Sequence, residues 1–355
     1  MLLVFIDFMN FLRDNFVKPD NAVSSRSRIE FIDLAKGICI ILVVVFHSSI
    51  EVDIPNFDAL RMPLYFMLSG LFFKDYGGLK IFTEKKINKL IIPFVTFYFV
   101  AFFIKYYANL ILPGRDAVEL NQILTPLYSG EIVNLPLWFL LSLFWCNIMY
   151  YLIHSASKSV VVKCCMVLSA TLLGVILCKY QIILPLYVRS SLIALPFFYM
   201  GILLGNTSFL YPNKYDRYSL WIAVLFLGCA YAIYFCYDSD HAPFMSIFYG
   251  TWENNLILVY LNSLLMVLGV LMLCKTITWL PVISYMGRYS IMILVIHILI
   301  LGNLAEVINL ILGYAMGPEE CLVYTLLLCW LLIPMMKKYL PYVTAQKDWF
   351  RLWGC

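Results

Sequence analysis

The strongest constraint on this chain is the return, from end to end, of apolar blocks long enough or nearly long enough to cross a bilayer core. Inside hydrocarbon, every backbone N–H and C=O must find its partner within protein. Such segments are therefore read as membrane-spanning helices. Only 13% of the residues are charged and 63% are hydrophobic, against about 25% charged in soluble domains. The fold class expected is all-α, a polytopic membrane protein. The net charge of +4 says little alone, because the placement of Lys and Arg matters more than their sum. The bilayer is the partner the composition demands, and no nucleic acid is expected.

Charge placement orders the blocks. The first span runs from Arg28 to Ile50, led by Arg26 and Arg28. A short acidic link leads to a second, shorter span, Leu60 to Phe73, expected to begin near Pro63 and to be tilted or re-entrant. Further spans follow at Leu90 to Leu112, Pro136 to Ile153, Cys164 to Cys178, Ile182 to Gly205, Leu220 to Tyr237, Asn255 to Cys274, Arg288 to Leu312 and Cys321 to Met336. That is about ten spans. Links carrying Lys74 to Lys89, Lys158 and Lys163, Lys214 and Arg217, and Lys337 and Lys338 fall on one side, and acidic links on the other. The positive-inside rule then places both termini in the cytoplasm. Residues 1–27 are expected as a cytoplasmic or interfacial segment, 28–340 as the membrane domain and 341–355 as a cytoplasmic tail. The opening MLLVFIDFMNFL lacks a basic lead-in and a small-residue cleavage site, which argues against a removable signal peptide.

The first span holds the most informative pattern. Asp33, Lys36 and His47 interrupt an otherwise apolar run. The eleven-residue step from Lys36 to His47 turns through about 1100°, roughly 20° past three full turns, so the two share a face about 16 Å apart. Asp33 sits within i, i+3 reach of Lys36. Ionisable groups inside a span are a functional hypothesis by default. The competing reading leaves Asp33 and Lys36 snorkelling to the headgroups, and His47 as a satisfied core histidine.

Other candidates are spread along the chain. Lys85, Lys86 and Lys89 form a basic cluster at the start of the third span, with Lys86 and Lys89 at i, i+3 and Lys85 and Lys89 at i, i+4. Such a cluster attracts phosphate-rich ligands, and anchoring to anionic lipid explains it nearly as well. Ser69–Gly70 permits close helix approach, and Arg61 stands just before Pro63. Arg189 is placed either to bind an anionic group or to snorkel. Trp138 and Trp252 suit an interface or a stacked sugar. His297 shares a face with Ser290, and Glu306 lies on the opposite face. His154 and His241 fall in links. Of the eleven cysteines, Cys39, Cys146, Cys178, Cys229, Cys236, Cys274 and Cys329 fall inside apolar runs and read as small buried hydrophobes, while Cys164, Cys165 and Cys355 lie near cytoplasmic edges where thiols stay reduced. With neither CxxC nor a metal-ligand spacing, no disulfide framework and no metal is expected.

Taken in order, DLAKG…H (Lys36 to His47), MPLYFMLSG, KKINKLIIP, PLWFL (Pro136 to Leu140), PFFYMGILLG (Pro196 to Gly205) and GRYSIMILVIH (Gly287 to His297) resemble the acyltransferase-3 family of integral-membrane O-acyltransferases of bacteria. The resemblance runs from about Arg28 to Met336. The branch most resembled acetylates sugars of cell-surface polysaccharides, the fucose 4-O-acetylase-like members. It implies a multi-pass protein of the bacterial inner membrane. Lys36 and His47 match the family's (R/K)-x10-H motif, with His47 the catalytic base. Lys86 and Lys89 match its basic pair for the acyl donor, usually two arginines; the lysines keep the charge and lose the bidentate fork. Ser69 and Gly70 match its Ser-Gly, while Arg61 matches no dependable position.

The expected chemistry draws acetyl-CoA from the cytoplasm, with its phosphates on Lys85, Lys86, Lys89 and Lys36. His47, neutral at pH 7 by an ordinary pKa of about 6.5, takes the proton of a glycan or lipid-linked sugar hydroxyl as it attacks the thioester. Asp33 orients Lys36. Arg61, Ser69, Trp138, Arg189 and His297 are the expected substrate contacts. A covalent acetyl-histidine relay, transfer of succinyl or a longer acyl chain, and a homo-oligomer all remain compatible. A transporter or flippase, with Lys36, Arg189 and Glu306 lining a pathway, is the rival class. Transporters commonly carry internal repeats, and none is visible in this sequence.

Overall fold

The computed structural model describes residues 29–48, 50, 56–111, 119–127, 132–237 and 243–351, with Arg13, Asn15 and Phe16. Most of the expected interfacial segment 1–27, the basic lead-in Arg26 and Arg28, and His241 lie outside the described residues.

All ten expected spans are helical. They are α1 (Glu30–His47), α2 (Asp58–Leu71), α3 and α4 (Leu79–Lys86 and Ile92–Ile111), α5 (Trp138–Ala156), α6 (Val160–Lys179), α7 (Val188–Gly205), α8 (Ser219–Phe235), α9 (Leu256–Ile277), α11 (Ser290–Leu312) and α12 (Pro318–Tyr339). Short α10 (Ile283–Arg288) leads into α11. Among the described residues, 8 helices are long and apolar enough to cross a membrane. The other two are α1, which carries Glu30, Asp33 and Lys36, and α2, which has only 14 residues. Both are central, and much of their surface is buried by neighbours. By contrast α6 and α8 are only 17% buried along their apolar windows, so they form the outer, lipid-facing layer.

Three features depart from the sequence expectation. α2 begins at Asp58 rather than near Pro63, which lies inside it; the proline ring forfeits one backbone bond there without ending the helix. α3 and α4 join through a π-helical turn, Ile87–Ile91, so the third span starts far earlier than Leu90. The acidic, aromatic link before α9 contains an antiparallel hairpin, β1 (Phe244–Ser246) with β2 (Thr251–Glu253), pairing Met245 with Trp252.

Small residues set the two tightest crossings. A Cβ on Gly70 would strike the Phe198 carbonyl, and one on Gly201 the Met67 carbonyl, which locks α2 against α7. Likewise Gly37 and Gly287 meet the backbone of Ile283 and Asp33, bringing α1 onto α10. Buried Asn56 and Asn262 exchange amide bonds, Asn56 Nδ2 to Asn262 Oδ1 at 3.0 Å and the return at 2.6 Å, tying the α1–α2 link to α9. These contacts hold α1 and α2 in the middle of the bundle, where the ionisable side chains sit.

Candidate active site

Lys36, Ile40 and His47 follow one another on α1 at steps of four and seven residues, and Ser290, Leu294 and His297 do the same on α11 at four and three. Both helices present these stripes to each other. At one end Lys36, Ile40, Ser290 and Leu294 line a common cavity. At the other end the rings of His47 and His297 face each other, with centroids 5.5 Å apart and planes at 45°. The expected shared face of Lys36 and His47 is therefore present, and its partner surface is α11.

The cavity holds about 270 Å³ and is also lined by Tyr65, Leu68, Ser69, Phe72, Lys86, Leu90 and three residues of α5. Its wall is mostly apolar, with Lys36, Lys86, Ser69, Ser290 and Tyr65 as polar points. Tyr65 Oη donates to the Lys36 carbonyl at 3.1 Å. The Lys36 ammonium lies 5.7 Å from the Phe72 ring centroid, and that of Lys86 5.2 Å from Phe82. Asn147 Nδ2 reaches Ser69 Oγ at 3.4 Å. Tyr65 and Ser290 are cavity residues that the sequence does not assign to the site, although Ser290 shares its helix face with His297.

The lining stops at Ile40 on α1 and Leu294 on α11. His47 lies seven residues beyond Ile40, about 10 Å along the axis at 1.5 Å per residue. Val43 and Val44, both buried, occupy the intervening turn.

At the histidine end, His297 is fully buried. Its Nδ1 is 2.9 Å from the Ile293 carbonyl. A carbonyl only accepts, so Nδ1 carries a proton, and in the neutral imidazole this leaves Nε2 as the bare acceptor. That Nε2 is buried without a hydrogen-bond partner. Arg61, also buried, pairs with Asp58 and stacks on Phe46 with its guanidinium carbon 3.6 Å from the ring centroid. It thus borders His47 through the residue preceding it. Cys39 Sγ donates to the Arg61 carbonyl at 3.1 Å.

The lysine cluster divides. Lys86 lines the cavity, whereas Lys85 and Lys89 reach Asp348 at 2.6 and 3.3 Å. The π turn accounts for this. Its i→i+5 winding advances fewer degrees per residue, so Lys89 falls away from the face of Lys86, while Lys85 and Lys89 stay together.

Asp33 forms a buried ion pair with Arg288, Oδ2 to Nε at 3.5 Å, and Glu30 meets the same guanidinium at 3.6 Å. The sequence marks Arg288 only as the start of a span, because Glu30 and Asp33 lie more than 250 residues back in the chain. Arg189 donates to the carbonyls of Tyr249 (2.9 Å) and Ile182 (3.3 Å), pinning the hairpin. Trp138 is only 6% exposed, covered by Phe139, Tyr187 and Phe248. Neither joins the histidine or lysine groups. His154 accepts from Lys163 at 3.3 Å beside a separate polar cavity of about 290 Å³. Among the described residues, no three His, Cys, Asp or Glu side chains converge as a metal site.

A family model described as an acyltransferase domain, that of the acyltransferase-3 family, covers residues 29–336, and so takes in α1 through nearly all of α12. No curated protein and no solved structure matches. The matched range includes the paired stripes, the cavity and the lysine cluster, and the chain belongs to the acyltransferase-3 family of membrane acyltransferases.

Proposed function

We propose that this protein moves an acetyl group from cytoplasmic acetyl-CoA to a hydroxyl of a cell-surface glycan or lipid-linked sugar, in a bacterial inner membrane. The observation that carries this reading is the pair of facing stripes. One pair of ends borders a cavity with two ammonium groups, and the other presents two imidazoles in contact.

Lys36 and Lys86 supply positive charge at the cavity mouth for the donor's phosphates, with Lys85 and Lys89 on the adjoining face. The apolar cavity wall suits the pantetheine arm. Val43 and Val44 separate the cavity from His47, so the arm reaches the imidazole only when this turn yields. The acceptor hydroxyl oxygen attacks the thioester carbonyl. As the C–O bond forms and the C–S bond breaks, His47 takes the hydroxyl proton and returns it to the leaving sulfur. His297 Nε2 is an acceptor looking for a donor, and a neighbouring sugar hydroxyl fills that role. Arg61 fixes the acceptor end of the site. Asp33, with Glu30, acts on Arg288 and so holds α1 against α10 rather than touching substrate.

The test is the O-acetyl content of surface glycans in cells carrying His47→Ala at normal expression. Loss of the acetyl groups is expected; unchanged content would rule the assignment out.

A further inference from the structure

Lys85 and Lys89 already hold an anion, and it belongs to the chain itself. Lys85 donates to Asp348 Oδ2 at 2.6 Å, and Lys89 reaches Oδ1 at 3.3 Å while donating to the Ala345 carbonyl at 2.6 Å. Between them, fully buried Asn88 accepts at Oδ1 from the backbone N–H groups of Trp349 (2.6 Å) and Phe350 (2.9 Å). Its Nδ2 donates to the Phe350 carbonyl at 2.9 Å. The segment after α12, residues 340–351, thus grips the end of α3 through Lys85 and the π turn through Asn88 and Lys89.

The segment is also folded on itself. The N–H groups of Gln346 and Lys347 share the Pro341 carbonyl, both at 2.9 Å, and Thr344 bonds the Leu340 carbonyl through its N–H and hydroxyl. Such a unit docks and leaves as one piece. The Lys85 hydrogen bond holds the Asp348 carboxyl below the usual carboxylate range.

We propose that residues 340–351 form an autoinhibitory strap, in which Asp348 occupies on Lys85 and Lys89 the position of a donor phosphate. The inference rests on the reading of these lysines as part of the donor face. A carboxylate bridging two ammonium groups makes the charge-assisted contacts that a phosphate oxygen makes. Both anions cannot hold the pair at once. Donor binding therefore competes with strap docking, and the free donor concentration sets how often the strap is displaced.

The experiment measures CoA binding by the purified full-length protein in lipid nanodiscs, wild type beside Asp348→Asn. The wild-type protein is also followed by hydrogen exchange over 340–351 with and without CoA, which needs no variant to fold. The expected result is binding about three- to tenfold tighter for Asp348→Asn, with CoA raising exchange of the wild-type strap. If CoA binds both proteins equally, or binds Asp348→Asn more weakly, or leaves strap exchange unchanged, the strap proposal is overturned while the donor reading stands. If neither protein binds CoA, the donor reading itself falls and the competition with it.

Discussion

His297 lies with its ring centroid 5.5 Å from that of His47, and its Nδ1 proton is committed to the Ile293 carbonyl. The two imidazoles are therefore placed differently. His47 is only partly buried, whereas His297 offers one fixed acceptor from a fully buried ring. Replacing His47 with Ala is expected to lower kcat by about 10²–10⁴, the usual worth of a general base. His297→Gln, which keeps an acceptor, should retain more activity than His297→Ala and should change KM for the sugar more than kcat. Steady-state kinetics with acetyl-CoA and a soluble acceptor sugar separate these outcomes.

Lys86 lines the cavity, while Lys85 is bound to Asp348. Removing a charge that faces the donor weakens binding; removing one that is neutralised by the strap weakens it less. Lys86→Gln should raise KM for acetyl-CoA about tenfold, about 1.4 kcal/mol. Lys85→Gln removes a donor contact and the strap's anchor together, so it should raise KM less than Lys86→Gln does. Equal losses in the two variants would contradict the division of the cluster.

Arg288 is buried between Glu30 and Asp33. Arg288→Met leaves two acids without their guanidinium, and breaking a buried pair costs about 3–5 kcal/mol. Thermal unfolding in detergent should show a large fall in Tm. The double variant Glu30→Gln with Arg288→Met should recover part of it, because fewer uncompensated charges remain.

Strap docking has a defined pH dependence. Asp348 is held below its ordinary value by the Lys85 hydrogen bond, with Lys89 adding to it. A depressed carboxyl pKa means that the contact is fully present above the free aspartate value and is lost as pH falls through the lowered one. Docking should therefore be constant from neutral pH down to about 4 and weaken only in stronger acid. Fluorescence of Trp349, whose backbone is held by Asn88, reports it. Release between pH 6 and 7 would be inconsistent with this account.

Much of the architecture is legible in the sequence because hydropathy in a membrane chain acts locally. Each apolar block becomes a helix wherever its neighbours lie, and the eleven-residue step from Lys36 to His47 survives intact. What the sequence hides is set by partners distant along the chain. The π turn rotates Lys89 away from Lys86, and Pro93, whose ring crowds the carbonyl four residues back at Lys89, is the only local mark of it. Asp348 is the lone acid of a largely apolar, aromatic tail, and its pairing with Lys85 across 263 positions leaves no periodic trace. Asp33 stands at the right spacing for Lys36, yet it forms an ion pair with Arg288, because Gly37 and Gly287 draw α10 against that face. Trp138 looks like an interfacial ring until Phe248 of the hairpin covers it.

The most direct measurement reconstitutes the protein in oriented vesicles and follows labelled acetyl transfer with acetyl-CoA confined to one side. Transfer should occur when acetyl-CoA meets the Lys86 face, vanish when it meets only the opposite face, and be lost in His47→Ala. Transfer supported equally from either side, or persisting at the wild-type rate without the His47 imidazole, would contradict the account.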